Sequence, residues 1–280
     1  MKISVLGSGQ MGAGIASLMI QSSAIDSVTW WARSAPALDK AFLRVKKEVR
    51  RFAKQTGQNH EELLQKLTPS TDLSQIEGSS FCVEAVSEDM EVKTDLLAKA
   101  SEYLDENTII GTNTSSLSIT ALSISTRFPG NVVGMHFFNP TSVMQLVEVV
   151  KGLNTLDGTV EQAMELASNL DKDPVLVNES PGFIVNRMLI PMINEAISVY
   201  AEGVASIEDI DKAMKLGANH PLGPLSLADL IGTDVCLSIM ETLHYETGDP
   251  KYRAHPLLRQ YVRAGYLGRK SGRGFHVYRR

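Results

Sequence analysis

Over the first 180 or so residues, short apolar runs alternate with longer stretches of mixed polarity. "KISVLG", "VTWWA", "FCVEAV", "TIIGTN", "VVGMHFF", "QLVEVV" and "PVLV" have the length and branching of strands. The first five are almost continuously apolar, as strands covered on both faces of a parallel sheet must be. From "ESPGFIVNR" onward the period becomes helical. Ser180 is expected to cap a helix with Pro181 at its first position. That helix is expected to run toward Gly203, with a bend at Pro191. Ser206 and Asp209 make a capping pair ahead of "IDKAMKLG", which ends at Gly217. Further helices are joined by "NHPLGPL" and "TGDPKY". The pattern predicts an α/β protein: a doubly wound domain of the Rossmann type over residues 1–182, then an all-helical domain over 183–280.

Composition narrows the partners. With 43% hydrophobic and 21% charged residues the chain has an ordinary globular make-up. A net charge of -5 argues against nucleic acid, so any anion site must be a local basic patch. No apolar run approaches the roughly 18 residues of a membrane span, and no membrane partner is expected. The opening "MKISVLGSGQMG" reads as the first strand rather than a leader. Cys82 and Cys236 stand in no metal-ligand spacing; two buried thiols in a reducing cytoplasm, and no metal, are the expectation.

The first strand runs into "GSGQMG", a G-x-G-x-x-G loop with Gly7, Gly9 and Gly12 that opens a helix. Such a loop needs a tight turn at its first glycine and close approach of a pyrophosphate at the second. The third allows close packing of the helix. In these folds a carboxylate about 20 residues further on, at the tip of the second strand, accepts hydrogen bonds from the adenosine ribose. Here that tip is Ala32, followed by Arg33 and Ser34. Alanine does not repel a 2′-phosphate, arginine pairs with it, and serine donates a hydroxyl. The tip therefore favours NADP over NAD.

Chemistry is signalled where "VVGMHFF" ends. His136 sits at the end of that apolar strand, just before Asn139-Pro140, and open α/β sheets bind ligands at the carboxyl ends of their strands. Glu148 lies in the next apolar run, where an ionised side chain is costly without a partner. A carboxylate on the far ring nitrogen fixes the tautomer of an imidazole and makes it a better base, as acid–base work at a secondary alcohol requires. Ser115, after "TIIGTN", is placed to bind a substrate oxygen or to cap a helix.

A long amphipathic segment, "DKAFLRVKKEVRRFAKQ", carries Phe42, Val45, Val49 and Phe52 on one face and Arg44, Lys47, Arg51 and Lys54 on another. It is the densest basic stretch of an acidic chain, and such a stripe suits either solvent or a phosphate-bearing ligand.

Taken together, "GSGQMGAGIA", "NTSSLSIT", "GMHFFNPTSVMQLVEVV", "SPGFIVNRMLIPMINEA", "EDIDKAMKLGANHPLGPL" and "YVRAGYLGRKSGRGF" resemble the short-chain (S)-3-hydroxyacyl-CoA dehydrogenases of the bacterial 3-hydroxybutyryl-CoA type, over essentially the whole chain. The resemblance implies an acyl-CoA substrate, a nicotinamide cofactor and a catalytic His136–Glu148 pair. Ser115 and Asn186 would contact the substrate, Glu88 and Lys93 would line the nicotinamide end of the cofactor, and Arg51 and Lys54 would lie near the coenzyme A carrier. The family commonly has aspartate where this chain has Ala32. The helical domain's apolar segments exceed what one small domain need bury, so a homodimer through it is expected. Two rivals share the fold. A non-catalytic dinucleotide-binding protein would not need the four catalytic candidates. A dehydrogenase of free 3-hydroxy acids would want a lysine four residues before Asn186, where Gly182 stands.

Overall fold

The computed structural model describes residues 1–278; Arg279 and Arg280, the end of the expected helical domain, lie outside the described residues. Two compact units divide the chain between Ser180 and Pro181.

In the first unit the strands are β1 (Lys2–Leu6), β2 (Ser27–Trp31), β3 (Leu67–Ser70), β4 (Phe81–Glu84), β5 (Ile109–Thr112), β6 (Val132–Phe137), β7 (Leu146–Lys151) and β8 (Asp173–Asn178). They form one sheet in the order β3-β2-β1-β4-β5-β6-β7-β8. Every pair is parallel except β6 with β7, which is antiparallel. The helices of this unit are α1 (Gln10–Gln21), α2 (Ala35–Thr56), α3 (His60–Gln65), α4 (Met90–Ser101), α5 (Ile119–Ser123) and α6 (Asp157–Asn169). The strand order reverses between β1 and β4, and the crevice beyond the carboxyl ends of those strands is where a doubly wound sheet takes its ligand.

Apolar strands drive this layering. Ile3, Val5, Val28, Trp30, Phe81, Val83, Val133 and Met135 are all buried, with α1 contributing Ile15, Ala16 and Met19. One strand was not foreseen. β3, "LTPS", lacks an apolar run and contains Pro69; it lies at the sheet edge and pairs only with β2, a position that tolerates a missing N–H.

The second unit contains α7 (Val185–Ala201), α8 (Ile207–Gly217), α9 (Pro224–Ile231), α10 (Thr233–Thr247) and α11 (Pro256–Arg263) around Ile193, Ile197, Leu225, Cys236, Met240 and Leu243. Ser180 does not cap the first of these. Gly182 and Phe183 both take positive φ, 71° and 51°, which no helix can include, so α7 starts only at Val185 and then continues through Pro191. A Cβ at Gly182 would lie 2.9 Å from Leu243 Cδ2. The Ser206 cap forms as expected: its Oγ accepts from Asp209 N at 3.1 Å, and the helix ends with Gly217.

Two buried aspartates fasten the end of the described chain onto α9. Asp211 accepts the N–H groups of Leu225 and Ser226, in the first turn of α9, and lies 2.9 Å from His276 Nε2. Asp229 accepts Phe275 N and His276 N at 2.8 Å each, and the Tyr278 hydroxyl at 3.0 Å. Gly274 passes so close to Asp229 that any Cβ there would collide with its carboxylate. Among the described residues no helix is long and apolar enough to cross a membrane.

Candidate active site

The glycine loop turns between β1 and α1, and each glycine has its own steric reason. Gly7 has φ 120°, and a Cβ on it would run into the carbonyl of Ala85 after β4. A Cβ on Gly12 would strike the carbonyl of Gly7. Gly9 is different: nothing lies within 4 Å of where its Cβ would be, so the loop is open at the point where a pyrophosphate must approach. Gly9 is also the N-cap of α1, with no side-chain cap and no acidic residue in the first turn, which leaves the positive end of the helix available to an anion. A dinucleotide fits these residues. Trp30 of β2 steadies the loop by donating from Nε1 to Gly7 O at 2.7 Å.

At the end of β2, Ala32 is buried while Arg33 and Ser34 are exposed. Ser34 precedes α2 without a side-chain cap bond to it. Arg51 and Lys54 are exposed on the last turns of the same helix, whose buried face includes Val45 and Val49.

The centre of the site is a cross-strand pair. His136 and Glu148 are directly opposed in the antiparallel β6–β7 ladder, so their side chains leave the same face of the sheet. His136 Nδ1 lies 2.7 Å from Glu148 Oε2, with both residues buried. A carboxylate accepts, so Nδ1 donates, and in the neutral ring the lone pair is on Nε2. The two strands thus assemble what "HFF" and "LVEVV" suggested separately.

A second polar cluster lies at the ends of β4 and β5. Glu88 Oε1 accepts from the Ser115 N–H at 2.7 Å, the Ser115 hydroxyl at 2.9 Å and the Thr114 hydroxyl at 2.7 Å, holding the Thr114–Ser116 turn. Lys93, on α4, has no exposed side-chain area. Its Nζ reaches Glu84 Oε1 at 2.7 Å, Glu84 Oε2 at 2.9 Å and Asn113 O at 3.3 Å, with Glu88 Oε2 at 3.7 Å. Glu84 also accepts the Thr112 hydroxyl at 2.6 Å. Asn113 Oδ1 in turn accepts from Phe137 N at 3.0 Å, next to His136. The predicted residues Ser115, Glu88 and Lys93 therefore meet.

Glu84, Thr112 and Asn113 were missed. The signal was available for Glu84: it interrupts "FCVEAV" as Glu148 interrupts "LVEVV", and a charge inside an apolar strand needs a buried partner. Asn186 lies in the first turn of α7 in the second unit, half-buried. No group of three or more His, Cys, Asp or Glu side chains suited to a metal occurs among the described residues.

The chain is similar to known proteins over nearly its whole length. Residues 2–180 match the family model of the 3-hydroxyacyl-CoA dehydrogenase NAD binding domain, and residues 182–278 that of the 3-hydroxyacyl-CoA dehydrogenase C-terminal domain. A 3-hydroxybutyryl-CoA dehydrogenase of Clostridioides difficile is 48% identical over 281 residues, covering 99% of both chains. A probable 3-hydroxybutyryl-CoA dehydrogenase of Bacillus subtilis is 46% identical, covering 99% of this chain and 97% of its own. The crystal structure of an (S)-3-hydroxybutyryl-CoA dehydrogenase from Ralstonia eutropha superposes with a TM-score of 0.94 at 42% identity, over 100% of this chain and 99% of the other. With both domains matched in order over nearly its whole length, the chain belongs to the 3-hydroxyacyl-CoA dehydrogenase family.

Proposed function

We propose that this protein interconverts (S)-3-hydroxybutyryl-CoA and acetoacetyl-CoA, with NADP(H) preferred over NAD(H). The observation that carries the reaction is the buried His136–Glu148 pair in the same unit as a dinucleotide-type glycine loop. A nicotinamide dinucleotide held at Gly7, Gly9 and Gly12 supplies the hydride acceptor and donor when bound. The chain does the rest. His136 Nε2 takes the C3 hydroxyl proton in oxidation and returns it in reduction, while Glu148 holds Nδ1 and stabilises the imidazolium. Ser115 and Asn186 orient the reacting oxygen and the thioester carbonyl, a positioning role. Arg51 and Lys54 meet the phosphates of the coenzyme A carrier.

The cofactor preference rests on the β2 tip, where buried Ala32 offers no carboxylate to the ribose and exposed Arg33 and Ser34 suit a 2′-phosphate. The helical unit, with its apolar groove, is proposed to carry a homodimer contact, and two free buried thiols suit the cytoplasm. A dehydrogenase of free 3-hydroxy acids is disfavoured because a lysine at 182 would need positive φ and space that Leu243 fills. The direct test is cofactor oxidation, followed by absorbance, on adding acetoacetyl-CoA. Turnover supports the dehydrogenase. Cofactor binding without turnover returns the chain to a non-catalytic binder.

A further inference from the structure

The cluster at the ends of β4 and β5 holds three charges, and their arrangement fixes which one a ligand meets. An ammonium has three N–H donors. Those of Lys93 have three acceptors within hydrogen-bond distance: the two oxygens of Glu84 and the carbonyl of Asn113. Lys93 and Glu84 are both fully buried and form an ion pair at the carboxyl ends of β4 and β5, with Glu88 Oε2 further off at 3.7 Å from the ammonium. Glu88 is the outer member, with 36% of its side chain exposed, and it collects N–H and O–H donors from Thr114, Ser115 and Ser116, as a carboxylate does. Two carboxylates and one ammonium leave one negative charge, and it sits on Glu88.

The sheet says which part of a dinucleotide would feel that charge. The strand order turns between β1 and β4, and β2 carries the end that faces the adenosine. The other half of the cofactor must extend over β4, β5 and β6, where Glu88, Ser115 and His136 lie. The nicotinamide ring is cationic when oxidised and neutral when reduced.

We infer that Glu88, with Lys93 neutralised by Glu84, sets the protein's relative affinity for the two redox forms of its cofactor, favouring the oxidised one. Glu88 thereby discriminates between cofactor states in addition to holding the Ser115 turn. This rests on the dinucleotide site proposed above.

The experiment is binding without turnover. Dissociation constants of the oxidised and reduced forms of both NAD and NADP are measured on the full chain, by calorimetry and by reduced-nicotinamide fluorescence, with no acyl-CoA present. Glu88→Gln should raise the ratio of oxidised to reduced dissociation constants about fivefold, the order expected of one half-exposed charge interaction. Glu88→Asp should keep the wild-type ratio, because the charge remains even if the Ser115 turn loosens. Glu88→Ala is read in the same way should the glutamine variant not fold. Equal weakening of both forms by the neutral variants would reduce Glu88 to a support for the turn and overturn the inference. If the wild-type chain binds none of the four nucleotides, the dinucleotide site itself is wrong and the inference falls with it.

Discussion

His136 Nδ1 and Glu148 Oε2 stand 2.7 Å apart because the two residues occupy opposed positions in the antiparallel β6–β7 ladder. One ladder step of slippage would send one of them to the other face. His136→Gln is expected to lower kcat on acetoacetyl-CoA by about 10²- to 10⁴-fold with cofactor affinity nearly unchanged, as loss of a general acid–base does. Glu148→Gln should lower kcat less and displace its pH profile, since the imidazolium loses a charged partner. Steady-state kinetics across pH measures both, and near-native turnover in His136→Gln would refute the assignment.

The proposed NADP preference rests on the end of β2. A hydrogen bond to a charged group contributes about 1.5–3 kcal/mol, so Arg33 on a 2′-phosphate corresponds to a preference for NADPH of about ten- to a hundredfold in kcat/KM. Arg33→Ala should remove most of that preference. Ala32→Asp should weaken NADPH by repulsion and improve NADH by giving the ribose an acceptor. Because Ala32 is buried, the aspartate variant needs a melting curve beside its kinetics. A wild-type ratio that favours NADH would overturn the NADP preference.

Arg51 and Lys54 sit on exposed turns of α2, so replacing both by alanine should leave the fold intact. The expected change is a higher KM for acetoacetyl-CoA with kcat and cofactor KM nearly preserved, the mark of lost binding to a remote handle. A short pantetheine thioester, which lacks most of the carrier phosphates, should be indifferent to the change. Equal damage to both substrates would return the stripe to solvent.

Both thiols should be silent in the native protein. Burial pushes Cys82 and Cys236 up to about 12, and the thiolate is the nucleophile. A raised thiol pKa means that the thiolate is scarce below pH 12. Alkylation at pH 8 should therefore label neither cysteine until denaturant is added, and then label both, as counted by mass spectrometry. Rapid native labelling of Cys82 would contradict the packing of β4.

An apolar groove of about 460 Å³ in the helical unit is lined by Met192, Val199, Val204, Ala213 and Met214, and Val204 is 68% exposed. If this face carries the dimer contact, the wild-type chain should elute at twice its monomer mass in light-scattering chromatography, and Val204→Glu should shift it toward monomer. A monomeric wild type would remove the proposal.

The strands β1, β2, β4, β5 and β6 were legible as near-continuous apolar runs, and β7 and β8 as shorter runs of branched residues. β3 was not, since an edge strand with Pro69 needs no apolar pattern, only a neighbour. The start of α7 was misread because Ser180-Pro181 satisfies local capping rules. Gly182 and Phe183 take positive φ instead, and Leu243 of α10 stands 2.9 Å from where a Cβ of Gly182 would lie, a neighbour that no local rule contains. Within the site, the glycines and the two members of the cross-strand pair each had a signature in "GSGQMG", "HFF" or "LVEVV". The pairing of His136 with Glu148 was expected from the sequence, and β7 running against β6 is what brings it about. Glu84 stayed hidden for want of a visible partner: Lys93 lies nine residues away on another element, and only the fold brings them together.

The fastening of residues 275–278 onto α9 bears on the order in which the protein is made. The first unit has all its strands once Asn178 has been synthesised, and it can form while the rest of the chain is still emerging. The helical unit cannot do the same. Asp229 stays without Phe275, His276 and Tyr278, three of its donors, until residue 278 has been added. A chain broken off before Phe275 would thus carry a first unit with all its strands and a second in which the buried carboxylate of Asp229 lacks those three donors.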